Sequence, residues 1–217
     1  RLADLRWVVT MVLKHVILST PSLGVDAGGP ARSVSGAFFA LHPHIPHLEL
    51  WHGTHGPSIV QSPAMHRYSP QQLIRRGLRV LSKSSVVHDS GLWSPWNLGL
   101  AQVAQLKGSS LVVSPRGMLS PWALQQKKWK KRIGWSVYQK RILASAKLVV
   151  VTSQSELAWV RDNEVDTPSV VIPNGIDLPT LEPSPSGRGS YALFLSRLYP
   201  GKGLEDLCLL YTSDAAD

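Results

Sequence analysis

Arg197 and Lys202, spaced with Gly201 and Gly203, follow the apolar run Tyr191-Ala192-Leu193-Phe194-Leu195. Two cations and flexible backbone at a strand-to-helix turn suit a diphosphate, with solvated surface charge as the plainer alternative. A Walker loop is excluded. Ser196 stands where its first Gly is needed, and Gly203 follows Lys202 in place of Ser or Thr. A second anion candidate is Gly24-Val25-Asp26-Ala27-Gly28-Gly29-Pro30-Ala31-Arg32-Ser33. Gly28 and Gly29 let backbone amides approach a ligand without Cβ interference, and the helix predicted to follow adds partial positive charge. Its spacing fits neither the dinucleotide nor the Walker fingerprint, so on spacing alone an ordinary turn explains it equally.

Two further segments carry groups that suit acid–base or electrostatic work. In Ser85-Val86-Val87-His88-Asp89-Ser90-Gly91-Leu92-Trp93, His88 closes an apolar run. It reads equally as a half-buried structural histidine or as a substrate contact. In Val113-Ser114-Pro115-Arg116-Gly117-Met118, Arg116 is suited to electrostatic work on an anion through paired N–H donors. It stays protonated and so is no general base. Thr152-Ser153-Gln154-Ser155-Glu156 reads as a helix start, Ser153 capping with Glu156 three residues on as its capping-box partner.

Short apolar runs must position these groups. Strands are predicted at His15 to Thr20, His47 to Trp51, Ser85 to His88, Ser110 to Ser114, Lys147 to Thr152 and Ser169 to Ile172, with another at Tyr191 to Leu195. Helices are predicted near Ala31 to Leu41, Pro70 to Leu81, Trp96 to Leu106, Pro121 to Ala146 and Ser155 to Asp162. This alternation predicts an α/β fold, a Rossmann-like parallel sheet with helices on both faces. Ligands then sit beyond the carboxyl ends of the strands, where Gly28, His88, Arg116 and Arg197 all fall.

Taken together these segments resemble family 4 retaining glycosyltransferases of the GT-B fold. The turn Pro173-Asn174-Gly175-Ile176-Asp177 and the spacer after it are similar to that family's interdomain junction. Gly28-Gly29-Pro30 resembles its "GGP" loop, His88 the first histidine of "vvHxHGLW" (Ser90 replacing the second), and Thr152 to Glu156 its "TSxxE" step. Many members carry His where this chain has Arg116. The resemblance implies that Arg197 and Lys202 hold the diphosphate of a nucleotide-sugar, the donor substrate; no separate cofactor and no metal are implied. It implies that Gly28 and Gly29 meet the donor phosphates and the acceptor, and that Arg116 and His88 belong to the catalytic centre. Residues 11–177 would form the acceptor-side domain, 178–190 a linker and 191–207 the opening of a truncated second Rossmann-like domain. The family's paired glutamates would lie beyond it, so this chain is expected to be inactive alone. Rival readings are a sugar-nucleotide epimerase on the same fold and a non-catalytic membrane- or polyanion-binding module.

The 217 residues carry a net charge of +9, and between Asp89 and Glu156 lie ten bases and no carboxylate. At the centre Lys127, Lys128, Trp129, Lys130, Lys131 and Arg132 interleave bases with an aromatic ring. A helix of this kind suits an anionic membrane surface; a solvated outer helix with its apolar positions turned to the sheet is the alternative. No nucleic-acid motif accompanies the charge. From this segment the acceptor is expected to be lipid-linked or a glycan. His42, His44, His47, His52 and His55 are split by prolines across several elements, which disfavours a closed metal shell. Apolar stretches fall short of the ~18 residues of a span, and no secretory signal is visible, so the protein is expected in the cytoplasm, with peripheral attachment to the inner membrane face open. Cys208 to Asp217 resembles translated sequencing-adapter read-through, interrupting a helix begun at Leu204. Without it the sole cysteine disappears, and loss of the acids Asp214 and Asp217 raises +9 to +11. Residues 1–10, ahead of Met11, are read as upstream sequence or a ragged start, with a genuine N-terminal extension as the alternative.

Overall fold

A computed structural model describes residues 13–53, 58–177, 193–196 and 202–213. Internal contacts divide the chain into a unit ending at Ile176 and a second beginning at Asp177. The first is built on a seven-stranded sheet: β1 (His15–Thr20), β2 (Leu48–His52), β3 (Met65–Arg67), β4 (Ser85–Ser90), β5 (Ser110–Ser114), β6 (Leu148–Val151) and β7 (Ser169–Val171). Every pairing is parallel and the order is β3-β2-β1-β4-β5-β6-β7. The chain thus winds outward from β1 in one direction and returns to build from β4 in the other. That makes the gap between the carboxyl ends of β1 and β4 a topological switch point, where ligands of such sheets bind.

Alternation along the strands assigns the two faces. Ile17, Trp51 and Val87 join one buried cluster with residues of the helices Pro70–Val80 and Pro95–Leu106. Leu18, Leu48 and Leu50 join another with Ala31, Val34 and Phe38 of the helix Gly29–Leu41. Successive side chains of a strand point to opposite faces, so helices cover both, as a Rossmann-like sheet requires. The helix starts have a shared local cause. Ser69, Ser94 and Ser120 each precede a proline and accept the amide of Gln72, Asn97 and Ala123, respectively. The serine satisfies an orphan N–H while proline occupies a position that needs none.

Several sequence-derived expectations need correction. β3 was not foreseen: three residues, Met65-His66-Arg67, on the sheet edge carry too little apolar pattern to announce a strand. The helix expected over Pro121 to Ala146 is four pieces, Pro121–Gln125, Lys128–Gly134, a π-helical turn at Trp135–Gln139, and Lys140–Ser145. Its break lies at Gln126, with extended ψ, and Lys127, with φ of 53°. Neither is Gly or Pro, so no local signal marks it. Leu193 to Leu195 is not in a strand, and Leu193 and Leu195 are exposed. A strand exists only through a hydrogen-bonded neighbour, and the second unit's described residues hold none. The helix begun at Leu204 runs on to Ser213 rather than stopping at Leu207.

Candidate active site

Five loops leave the carboxyl ends of β1, β4, β5, β6 and β7, and side-chain hydrogen bonds tie those after β5, β6 and β7 together. The anchor is Glu156, on the helix Gln154–Asp162 and only 2% exposed. Its Oε1 accepts the Gly117 amide at 2.6 Å, and its Oε2 accepts the Thr152 amide at 2.7 Å and the Thr152 hydroxyl at 2.8 Å. Ser153 does cap the helix, accepting the Glu156 amide at 3.1 Å. The capping box read from the sequence is nevertheless incomplete, because the Glu156 carboxylate accepts from Thr152 and Gly117 and not from the Ser153 amide.

That loop holds Arg116 in the left-handed region, φ 55°, with Gly117 at φ 74°. Left-handed backbone costs a residue with a Cβ ~1–2 kcal/mol. A hydrogen bond to a carboxylate contributes ~1.5–3 kcal/mol, enough to hold the turn. Arg116 Nη1 donates to Asn174 Oδ1 at 2.9 Å, joining the β5 loop to the segment after β7. Its Nε is buried without a hydrogen-bond partner. A guanidinium with an unsatisfied donor in a part-buried setting is a ready acceptor of an anion.

His88 lies beside it. On β4 it pairs in register with Leu18 and Val112, and its Nε2 shares a hydrogen bond of 2.7 Å with the hydroxyl of Ser114, two residues on from Val112. Burial, then the positive charge of Arg116, brings the imidazole down to about 4, so His88 is neutral at pH 7. The structure therefore joins the histidine and the arginine, and gives His88 a structural bond without removing it from the site. On the opposite face of β4, burial pushes the Asp89 carboxyl up to about 6 even though hydrogen bonding pulls it down. Asn97 Nδ2 donates to its Oδ2 at 2.8 Å, and Oδ1 is left without a partner of good geometry.

After β4 the chain turns through Gly91 (φ 104°) and Trp93 (φ 73°). Trp93 donates its amide to Gln139 Oε1 at 3.0 Å, and its carbonyl accepts the Tyr138 hydroxyl at 3.0 Å. Consecutive residues of an α-helix point about 100° apart; the π turn at Trp135–Gln139 lets Tyr138 and Gln139 grip one loop. Glu156, Asn174, Asp89, Tyr138 and Gln139 were not foreseen in these roles. Only Glu156 carried a signal, and it pointed to a local cap.

The loop after β1 contains Gly28, φ 62° and ψ −133°, at the N-terminus of the helix Gly29–Leu41. A Cβ placed on Gly29 would meet nothing within 4 Å, so open space and not packing surrounds it. Gly24, Val25, Gly28, Arg32 and Ile59 line a depression of about 310 Å³ there. Gly53, after β2, is held tightly: a Cβ there would lie 2.2 Å from the Pro21 carbonyl oxygen.

In the second unit Lys202 is exposed just before the helix Leu204–Ser213; Arg197 lies outside the described residues. The histidines are spent separately. His42 packs on Phe38 with ring centroids 5.1 Å apart, and buried His52 contacts its neighbour's carbonyl, Gly53 O, at 3.0 Å. His55 lies outside the described residues. Among those described, no three His, Cys, Asp or Glu side chains converge as a metal site would need.

Of the six residues read as a membrane contact, Lys127, Lys128, Trp129, Lys130 and Arg132 are exposed. Lys131 is not free for that role. Its ammonium bonds the Ala123 carbonyl and sits 5.7 Å from the Trp93 ring centroid. Among the described residues no helix is long and apolar enough to cross a membrane.

Residues 25–179 match a protein-family model described as Glycosyltransferase Family 4. No curated protein matches the chain.

Proposed function

The chain belongs to glycosyltransferase family 4, and from that premise we propose that it is the acceptor-side half, with the opening of the donor side, of a retaining enzyme that transfers a sugar from a nucleotide-sugar to a hydroxyl. In this reading residues 11–177 form the acceptor-side domain, 178–190 the linker and 191–207 the start of the donor-binding domain. The observation that best supports it is Arg116, pinned at the carboxyl end of β5 by Glu156, with an unsatisfied buried Nε and a neutral histidine beside it.

Each residue then has a distinct task. Arg116 offsets the negative charge that accumulates on the departing diphosphate, a part its fixed charge suits and proton transfer does not. His88, neutral, offers a hydrogen bond to the sugar or the acceptor without repelling the arginine. Gly28 and Gly29 bring backbone amides up to the donor phosphates at a helix N-terminus. Arg197 and Lys202 hold the same diphosphate from the second domain. No metal takes part; the fixed cations supply the charge. The acceptor is lipid-linked or a glycan.

The test is release of nucleoside diphosphate from a panel of nucleotide-sugars by a protein carrying a complete second domain, with glycan and lipid-linked acceptors. EDTA should leave the rate unchanged, and NMR of the product should show the donor's anomeric configuration kept. An inverted product, or a rate abolished by EDTA and restored by a divalent cation, would overturn the corresponding part of the proposal.

A further inference from the structure

The helical segment from Lys128 to Ser145 has an inner and an outer face, and only the inner one is explained by the fold. Inward, Trp135 packs 6.1 Å from the Trp93 ring centroid, Tyr138 and Gln139 grip the Trp93 backbone, and Ile142 and Leu143 lie in the core. Outward, Trp129, Ile133 and Val137 follow one another at intervals of four and are 65%, 56% and 61% exposed. Residues four apart share a helix face, so the three form one apolar ridge about 12 Å long. Exposed Lys128, Lys130, Arg132 and Arg141 flank it. Lys130 Nζ lies 5.3 Å from the Trp129 ring centroid, and Lys140 is held by Glu164 at 2.7 Å.

We infer that this ridge docks the protein onto an anionic lipid surface, with Trp129, Ile133 and Val137 entering the interface and Lys128, Lys130 and Arg132 meeting the headgroups. Charge complementarity selects the occupant. The segment supplies no carboxylate between Asp89 and Glu156, so its field attracts anions. Three large apolar side chains in a row would be stranded in water against a nucleic-acid backbone, whereas a lipid interface accommodates both halves of the pattern, and tryptophan favours that depth. The inference does not depend on the donor or the reaction. If it holds, the surface that meets lipid is the back of the helix that clamps the Trp93 loop, which places membrane contact next to the candidate site.

Co-sedimentation of the full chain with phosphatidylcholine vesicles, with and without phosphatidylglycerol, tests it at low and physiological salt. Binding should require phosphatidylglycerol and weaken as salt rises. Combined Lys128→Gln, Lys130→Gln and Arg132→Gln should cut partitioning roughly a hundredfold. Combined Trp129→Ser, Ile133→Ser and Val137→Ser should cut it at least about tenfold at unchanged charge. All six positions are exposed, so circular dichroism melts of both variants should match the parent. Failure of the parent to bind, or parent-like binding by either variant, overturns the inference. So does a ridge-dependent dimer in sedimentation equilibrium, or tighter binding to duplex or single-stranded nucleic acid than to vesicles; these would assign the ridge to a second copy or to nucleic acid.

Discussion

Arg116 occupies a backbone region that a residue with a Cβ enters only when its surroundings compel it, and here the compelling group is Glu156. Replacing the carboxylate tests that dependence. Glu156→Gln keeps the shape but loses the charge on two amide contacts and a hydroxyl contact, and should lower stability by ~1–3 kcal/mol in chemical denaturation. Arg116→Ala should leave the melting temperature nearly unchanged, because its side chain contributes one partly exposed bond to Asn174. In a protein with a complete donor domain it should reduce turnover by roughly ten- to a hundredfold. Arg116→Lys should recover only part of the loss, since a point charge does not reproduce two parallel donors. Arg116 itself was legible in the sequence through its loop and its chemistry. Its support was not: Glu156 stands where a capping-box glutamate belongs, and only the fold brings Gly117, 39 residues earlier, within its reach.

β4 carries two titratable groups on opposite faces, His88 partly buried and Asp89 buried, and their pH dependences oppose each other. His88 has a folded value near 4 against an ordinary 6.5, so the unfolded chain binds the extra proton and stability is lost as pH falls from 6.5 towards 4. Asp89 has a folded value near 6 against 3.8, so the folded chain binds the extra proton and stability is lost as pH rises from 3.8 through 6. The parent should therefore be nearly flat between about pH 4 and 6, apart from its other carboxylates. Asp89→Asn should expose the histidine slope, stability rising by ~1 kcal/mol per pH unit, and His88→Gln should expose the opposite slope. Parallel pH profiles for the two variants in urea denaturation would contradict the assignment. At the ends of β1 and β2, Gly53→Ala drives a Cβ against the Pro21 carbonyl and should destabilise the protein by ~1–3 kcal/mol. Six of the seven strands were legible as short apolar runs, and the helix start at Ser153 was legible from its cap. The break at Lys127 and the π turn at Trp135–Gln139 were not, because a tertiary grip on Trp93 and Ala123, not a local breaker, accompanies them.

For the whole molecule, the parallel order β3-β2-β1-β4-β5-β6-β7 explains why scattered motifs meet. Gly28 follows β1, His88 stands near the carboxyl end of β4, two residues before its last, and Arg116 follows β5, so all lie towards the carboxyl edge, two of them flanking the switch point. Alternating runs made the fold class legible, and the turn Pro173 to Asp177 with the Arg197 and Lys202 segment after it, supported by Gly28-Gly29-Pro30, made the family legible. The outer ridge was only half legible. Its bases stood out, but sequence alone set Ile133 and Val137 beside Trp135 and Tyr138, and only packing separates those facing solvent from those facing the core. The central proposal is that Arg116, Arg197 and Lys202 each contribute charge to binding a nucleotide-sugar diphosphate. It is tested most directly by calorimetry with a panel of nucleoside diphosphates, comparing a protein completed through its donor domain with its Arg116→Ala, Arg197→Ala and Lys202→Ala variants. One diphosphate should bind the parent without added metal, and each variant should bind it roughly ten- to a hundredfold more weakly while remaining folded. Parent-like affinity in all three folded variants, or a parent that binds none of the diphosphates, would contradict the account.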